Sequence, residues 1–204
     1  VLIMNKKEIS ILLGLALTIM FAIFMDANTT AQKIRSNTLR LHIIANSNLQ
    51  EDQDTKLLVR DEILQLSPFV YLNATCFDDA VEKTTQNLQQ IQGEVNEILA
   101  REGSGYTAKC TIEPFYFSTG SYPTFTLPQG EYSALTVRLG KAQGKNWWCV
   151  MYPQLCNEAF SDKEIKKAED FIATDKITLR FKAVELYEDA KNAITHKRAK
   201  TYVN

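Results

Sequence analysis

The spacing of apolar residues changes several times along this chain, and each change marks a new element. An uncharged apolar run, Ile9 to Met25, follows Lys6 and Lys7 and gives way to polar DANTTAQ. A positive flank, an apolar stretch and then small residues read as a secretory signal, with cleavage points after Ala27 or Ala31. As a helix the run is about 26 Å long. That is long for a signal core and short for a bilayer core of about 30 Å. Residues 1–31 are therefore expected to be a signal peptide or a signal anchor, 32–38 a polar linker, and 39–204 a single folded domain.

Beyond the linker the period becomes that of a strand: Leu39, Leu41 and Ile43 alternate with Arg40, His42 and Ile44. The turn Asn46-Ser47-Asn48 leads into a helix expected near Glu51 to Leu66, with Asn48 and Glu51 as a capping box and Pro68 as its stop. Helical spacing resumes at Val81, Leu88, Ile91, Val95 and Ile98, with Thr84 in the same stripe. It predicts one continuous helix that opens on Asp78 and Asp79 and ends at Gly103 and Gly105.

Tyr106 to Phe117 reads as a second strand, with Ala108, Cys110 and Ile112 on one face and Pro114 forcing an edge or a bulge. Past the loop STGSYPTFTLPQGEY, Tyr132–Leu139 and Trp147–Tyr152 read as a hairpin joined by GKAQGKN. Its second strand should hold Trp147, Cys149 and Met151 on one side and Trp148, Val150 and Tyr152 on the other. Two further helices are expected, from Ser161 or Asp162 to Ala173 and from Thr178 to Ile194. The order predicts an α+β domain: a small mixed or antiparallel sheet with helices packed on one face.

Composition narrows the chemistry. The formal net charge is −1, and without a basic stripe a nucleic-acid partner is not expected. Two histidines, His42 and His196, are too few for a multi-histidine zinc site, and neither metal nor cofactor is expected. Four cysteines in an exported chain point to two disulfides with three possible connectivities. Pro153 can turn the chain back toward Cys149, which favours Cys149–Cys156 and leaves Cys76–Cys110.

Catalytic constellations are thin. A nucleophilic Cys149 or Cys156 with His42 as base rests on residues far apart in sequence. Nothing in the spacing of Glu113 and Glu131 marks a shared acid–base site. Asp52, Lys56 and Arg60 recur every four residues, so they line one helix face as acid-then-base pairs, ordinarily a solvated arrangement. The strand-to-helix turn before them leaves helix amides free to meet an anion or a partner.

Three segments together resemble one family. HIIANSNLQEDQDTKLLVRD, TLPQGEYSALTVRLG and GKNWWCVMYPQLC are similar, in order and spacing, to stage II sporulation protein R of endospore-forming bacteria. Two departures stand out: Asn48 replaces an acidic residue expected after Ala-Asn-Ser, and Pro123 a glycine expected in the aromatic loop. The resemblance implies signalling rather than catalysis. Such a protein is exported from the forespore into the space between the two cells. There it triggers the membrane-embedded sigma-E-processing aspartic peptidase of the mother cell, which cleaves pro-sigma-E. The implied partner is that peptidase, and the membrane is met only through the N-terminal segment. Expected contacts are Asn46, Ser47, Asp52, Gln53, Lys56, Arg60, Glu131 and Trp148. An exported hydrolase acting on cell-wall or peptide substrates is the alternative.

Overall fold

The computed structural model describes residues 5–71, 73–121 and 126–153. Cys156 and the two helices expected after Ser161 lie outside the described residues. The chain divides into two compact units.

The first unit contains most of α1 (Lys6–Ser36) and the short strands β3 (Gly120–Ser121) and β4 (Thr126–Leu127). β3 and β4 pair antiparallel. By length and composition α1 could cross a membrane, and no residue of its apolar stretch is buried. The helix continues to Ser36 and takes in most of the segment expected as a linker, with Ala27, Ala31 and Ile34 buried along one stripe.

The second unit is the α+β domain. Its elements are β1 (Leu39–Ile44), α2 (Gln50–Val70), α3 (Phe77–Gln86), α4 (Leu88–Arg101), β2 (Ala108–Phe117), β5 (Gly130–Leu139) and β6 (Asn146–Tyr152). The sheet is mixed, in the order β2-β5-β1-β6. β5 and β6 are thus not a hairpin: β1 lies between them, parallel to β5 and antiparallel to β6. Strand periodicity fixes which faces are buried but not which strands are neighbours, and the short connection between these two strands has the pattern of a hairpin loop. That connection crosses the end of β1 instead.

One sheet face carries Leu39, Leu41, Ile43, Leu135, Val137, Leu139, Cys110 and Cys149 into the main core, where Val59, Ile63, Ile91, Val95 and Ile98 of the helices meet them. On the other face Arg40 and His42 are almost fully buried. Phe117, Tyr132 and Ala134 form a second apolar cluster on it, joined by Phe115. The Arg40 guanidinium stacks 3.9 Å from the Phe117 ring centroid and 5.2 Å from that of Tyr132, a cation–π arrangement suited to a desolvated arginine.

Several local expectations change. α2 runs through Pro68 to Val70. Its N-cap is Leu49, not Asn48, whose side chain instead accepts from the Lys145 amide at 2.9 Å. The long helix expected after Asp78 breaks at Asn87 into α3 and α4, where the Asn87 side-chain amide donates to the Lys83 carbonyl at 2.8 Å. Asparagine competes in this way with helix continuation. A register shift between Leu39 and Arg40 makes Met151 the extra residue of a bulge, so Tyr152 pairs with Leu39 and turns to the helical face, 6.1 Å from Tyr71. The Tyr152–Pro153 peptide is cis.

The expected Cys76–Cys110 bridge is not formed; both are free thiols. Cys110 lies on β2 and is buried, with its thiol pushed up to about 12 by that burial. Cys76 is exposed and stands at the N-cap of α3. The expected Cys149–Cys156 pair includes a residue outside the described region.

Gly144 sits where the crossing connection passes closest to the turn after β1. A Cβ there would collide with the Ser47 carbonyl and approach the Ala45 side chain. Gly144→Ala is therefore expected to destabilise the domain by about 2 kcal/mol, measurable as a lowered urea midpoint with an unchanged slope.

Candidate functional site

The first and third motif segments meet in space. β1 ends at Ile44, and Ala45 to Asn48 form the turn into α2. Over this turn passes the connection from β5 to β6, held by backbone bonds from Gln143 to the Asn46 carbonyl (3.1 Å) and from Gly144 to the Ala45 carbonyl (2.9 Å). The Asn46 side-chain oxygen accepts from the Lys141 amide at 2.9 Å. With Asn48 on the Lys145 amide, the turn holds the connection at both ends.

Asp52 is the hub. One carboxylate oxygen accepts from the Asn46 side-chain amide (2.9 Å) and the Ser47 hydroxyl (2.5 Å), and the other from the Tyr106 hydroxyl (2.6 Å). Burial alone would raise its pKa, but the bonds from Ser47, Tyr106 and Asn46 together hold it below the usual carboxylate value. Tyr106 is pushed up to about 12 by burial and by its bond to Asp52. The Gln53 side chain donates to the Ser47 carbonyl at 2.8 Å. Lys56 donates to Gln53 at 2.7 Å and to the Lys145 carbonyl at 3.2 Å. Its pKa is lowered by burial and by the nearby charges of Lys145 and Arg60.

The face read as solvated is therefore largely internal: Asp52 and Lys56 are buried. The regular four-residue spacing comes from packing on the chain's own crossing connection. Arg60 departs from the pattern, pairing with Asp61 at 2.6 Å and placing its guanidinium 4.6 Å from the Trp147 ring centroid. Tyr106 was missed as a member of the site. Sequence alone marks it only as the first residue of a strand, and its link to Asp52 spans 54 positions.

The two tryptophans separate as strand alternation requires. Trp147 packs half-buried against the main core, whereas Trp148 is 44% exposed on the opposite face. Trp148 pairs across β1 with His42. The His42 ring lies 4.1 Å from Phe115 and 6.3 Å from Trp148 by centroids, and its Nε2 is 3.0 Å from the Asn146 side-chain oxygen. Its buried Nδ1 has no hydrogen-bond partner among the described residues. Burial keeps its pKa below the ordinary value, and the Asn146 bond only partly offsets this. His42 and Cys149 point to opposite faces of the sheet, so they cannot act as a nucleophile and base pair. Glu131 is exposed at the start of β5. Among the described residues, no group of three or more metal-ligating side chains comes together.

The family model for stage II sporulation protein R matches residues 35–164. The chain is also 32% identical over 157 residues to stage II sporulation protein R of Bacillus subtilis (strain 168), covering 73% of this chain and 70% of that protein. No solved structure matches it. The chain belongs to the stage II sporulation protein R family, and its role is in sporulation.

Two outcomes follow from the site. Asp52→Ala strands three donors and is expected to cost about 3 kcal/mol, read by urea unfolding. Because its folded pKa is depressed, neutral His42 stabilises the fold at neutral pH. That contribution falls away as pH drops below about 6.5, where unfolded histidine gains a proton. Asp52 and Glu113 lose theirs only at lower pH, as carboxylates protonate. His42→Gln should flatten the melting temperature between about pH 6.5 and 5 relative to wild type.

Proposed function

We propose that this protein is exported from the forespore and activates the membrane-embedded sigma-E-processing aspartic peptidase of the mother cell, so that pro-sigma-E is cleaved. The family match over residues 35–164 carries this reading. An N-terminal helix long and apolar enough to cross a membrane supports the route of export or anchoring. The motif residues lend further support, because their bonds build a rigid turn rather than a set of reacting groups. Asp52 has its oxygens occupied by Asn46, Ser47 and Tyr106, and Lys56 is committed to Gln53 and Lys145.

An activator of this kind works by binding the active state of its target more tightly than the resting state. A preference of about 100-fold supplies about 2.7 kcal/mol toward activity. In this reading Asn46, Ser47, Asp52, Gln53 and Lys56 hold the shape of the contact surface, whereas exposed Trp148 and Glu131 and part-exposed Arg60 touch the partner. The decisive experiment co-expresses the full chain with the peptidase and pro-sigma-E and follows precursor cleavage by immunoblot. Cleavage should rise well above the level reached without the chain. An unchanged level, with the chain exported and folded, would sink the proposal.

A further inference from the structure

The two edges of the four-stranded sheet are built differently. β2 forms one edge, and there the first two outward amides are already used. The Ala108 amide donates to the Asn96 side chain at 2.7 Å and the Cys110 amide to Gln92 at 2.9 Å, both acceptors standing on α4. Farther along the same strand, Pro114 has no amide to offer. This edge is closed to an incoming strand.

β6 forms the other edge, and among the described residues it has a neighbouring strand on one side only. The Ala45 amide points to the Lys145 carbonyl, and the register places Ile43 opposite Trp147 and Leu41 opposite Cys149. In an antiparallel ladder, alternate residues turn their N–H and C=O to opposite sides. Lys145, Trp147 and Cys149 thus face β1, while Asn146 and Trp148 present their backbone groups outward. Val150, next in the alternation, is buried, so the open run is short. It offers at most two amides and two carbonyls.

A short ladder alone binds weakly, but this one carries a side-chain anchor. Trp148 is 44% exposed, and its ring is steadied from behind by His42 and Phe117 at centroid distances of 6.3 and 6.4 Å. The Asn146 side chain is held by His42, which fixes the start of the edge. Lys145, immediately before the open run, and Lys141 in the same connection are exposed, so this end of the edge is positively charged.

We propose that the outer edge of β6, from Asn146 to Trp148, docks an extended strand of the partner protein. That strand has an apolar or aromatic side chain against Trp148 and an acidic residue near Lys145. The backbone row selects an extended polypeptide, because only a strand matches its spacing. Exposed lysines beside it select the acidic residue by charge. The inference rests on the activator reading, with the partner strand belonging to the extracytoplasmic part of the peptidase.

The test uses the full chain reconstituted with the peptidase and pro-sigma-E in vesicles, with two readouts on one sample. Amide hydrogen exchange at Asn146 and Trp148 reports docking, and precursor cleavage reports activation. The expected result is slowed exchange at both amides only when the peptidase is present. Trp148→Phe keeps the amide and an aromatic ring and should retain more activation than any other substitution at this position. Trp148→Pro, which removes an outward amide that β1 does not use, should lower activation at fixed concentration by at least about 10-fold. Trp148→Ala keeps the amide and should fall between them. Circular dichroism checks that each variant is folded. Unchanged exchange at Asn146 and Trp148 while cleavage rises overturns the edge proposal, as does a folded Trp148→Pro chain with wild-type activation. Slowed exchange without cleavage leaves docking standing and removes the activator reading. Absence of both removes both.

Discussion

A carboxylate taken out of water must be surrounded by donors, and Asp52 meets this requirement with groups from three separate stretches of chain. Asn46 and Ser47 come from the turn after β1, Asp52 itself opens α2, and Tyr106 precedes β2. Satisfying that charge fixes where the turn, the helix and the second strand stand relative to one another. The same turn then holds the β5–β6 connection through Asn46 and Asn48. Because that connection is held, β6 is delivered to the far side of β1 rather than folding back on β5.

Once β6 is placed there, the roles of its residues follow. Trp147 and Cys149 face the helical core, and Trp148 faces the aromatic side beside His42. That side is built around charged and polar groups held among rings: Arg40 against Phe117 and Tyr132, and His42 against Phe115. Arg138 pairs with Glu113 on the same face and bonds Thr111 at 3.1 Å. Burying such groups is costly unless they are paired. Their presence ties the second face to one arrangement of strands, since a one-residue slip would move each of them into the opposite core.

Much of this was legible beforehand, and what was not has identifiable causes. The positions of β1, β2, β5 and β6 follow from alternation, and the edge placement of β2 follows from Pro114. Strand neighbours were not legible, because the short link between β5 and β6 looks like any hairpin loop until β1 is known to intervene. The burial of Arg40 and His42 was not legible, because alternation reports a contrast between faces, not whether both are covered. The break at Asn87 was hidden by an apolar stripe that continues across it. Asp52 and Lys56 carried the pattern of a surface ion-pair row, and nothing local reveals that Tyr106 and the Lys145 carbonyl will come to them.

The unequal edges also bear on valency. A sheet with two open edges can accept a strand on one side and offer one on the other, which propagates into filaments. Here Gln92, Asn96 and Pro114 terminate one side, so any pairing at β6 ends after a single addition. Even two copies meeting through β6 would form a closed pair with both remaining edges already capped. Pairing at β6 thus leaves no second open edge from which the four-stranded sheet could propagate.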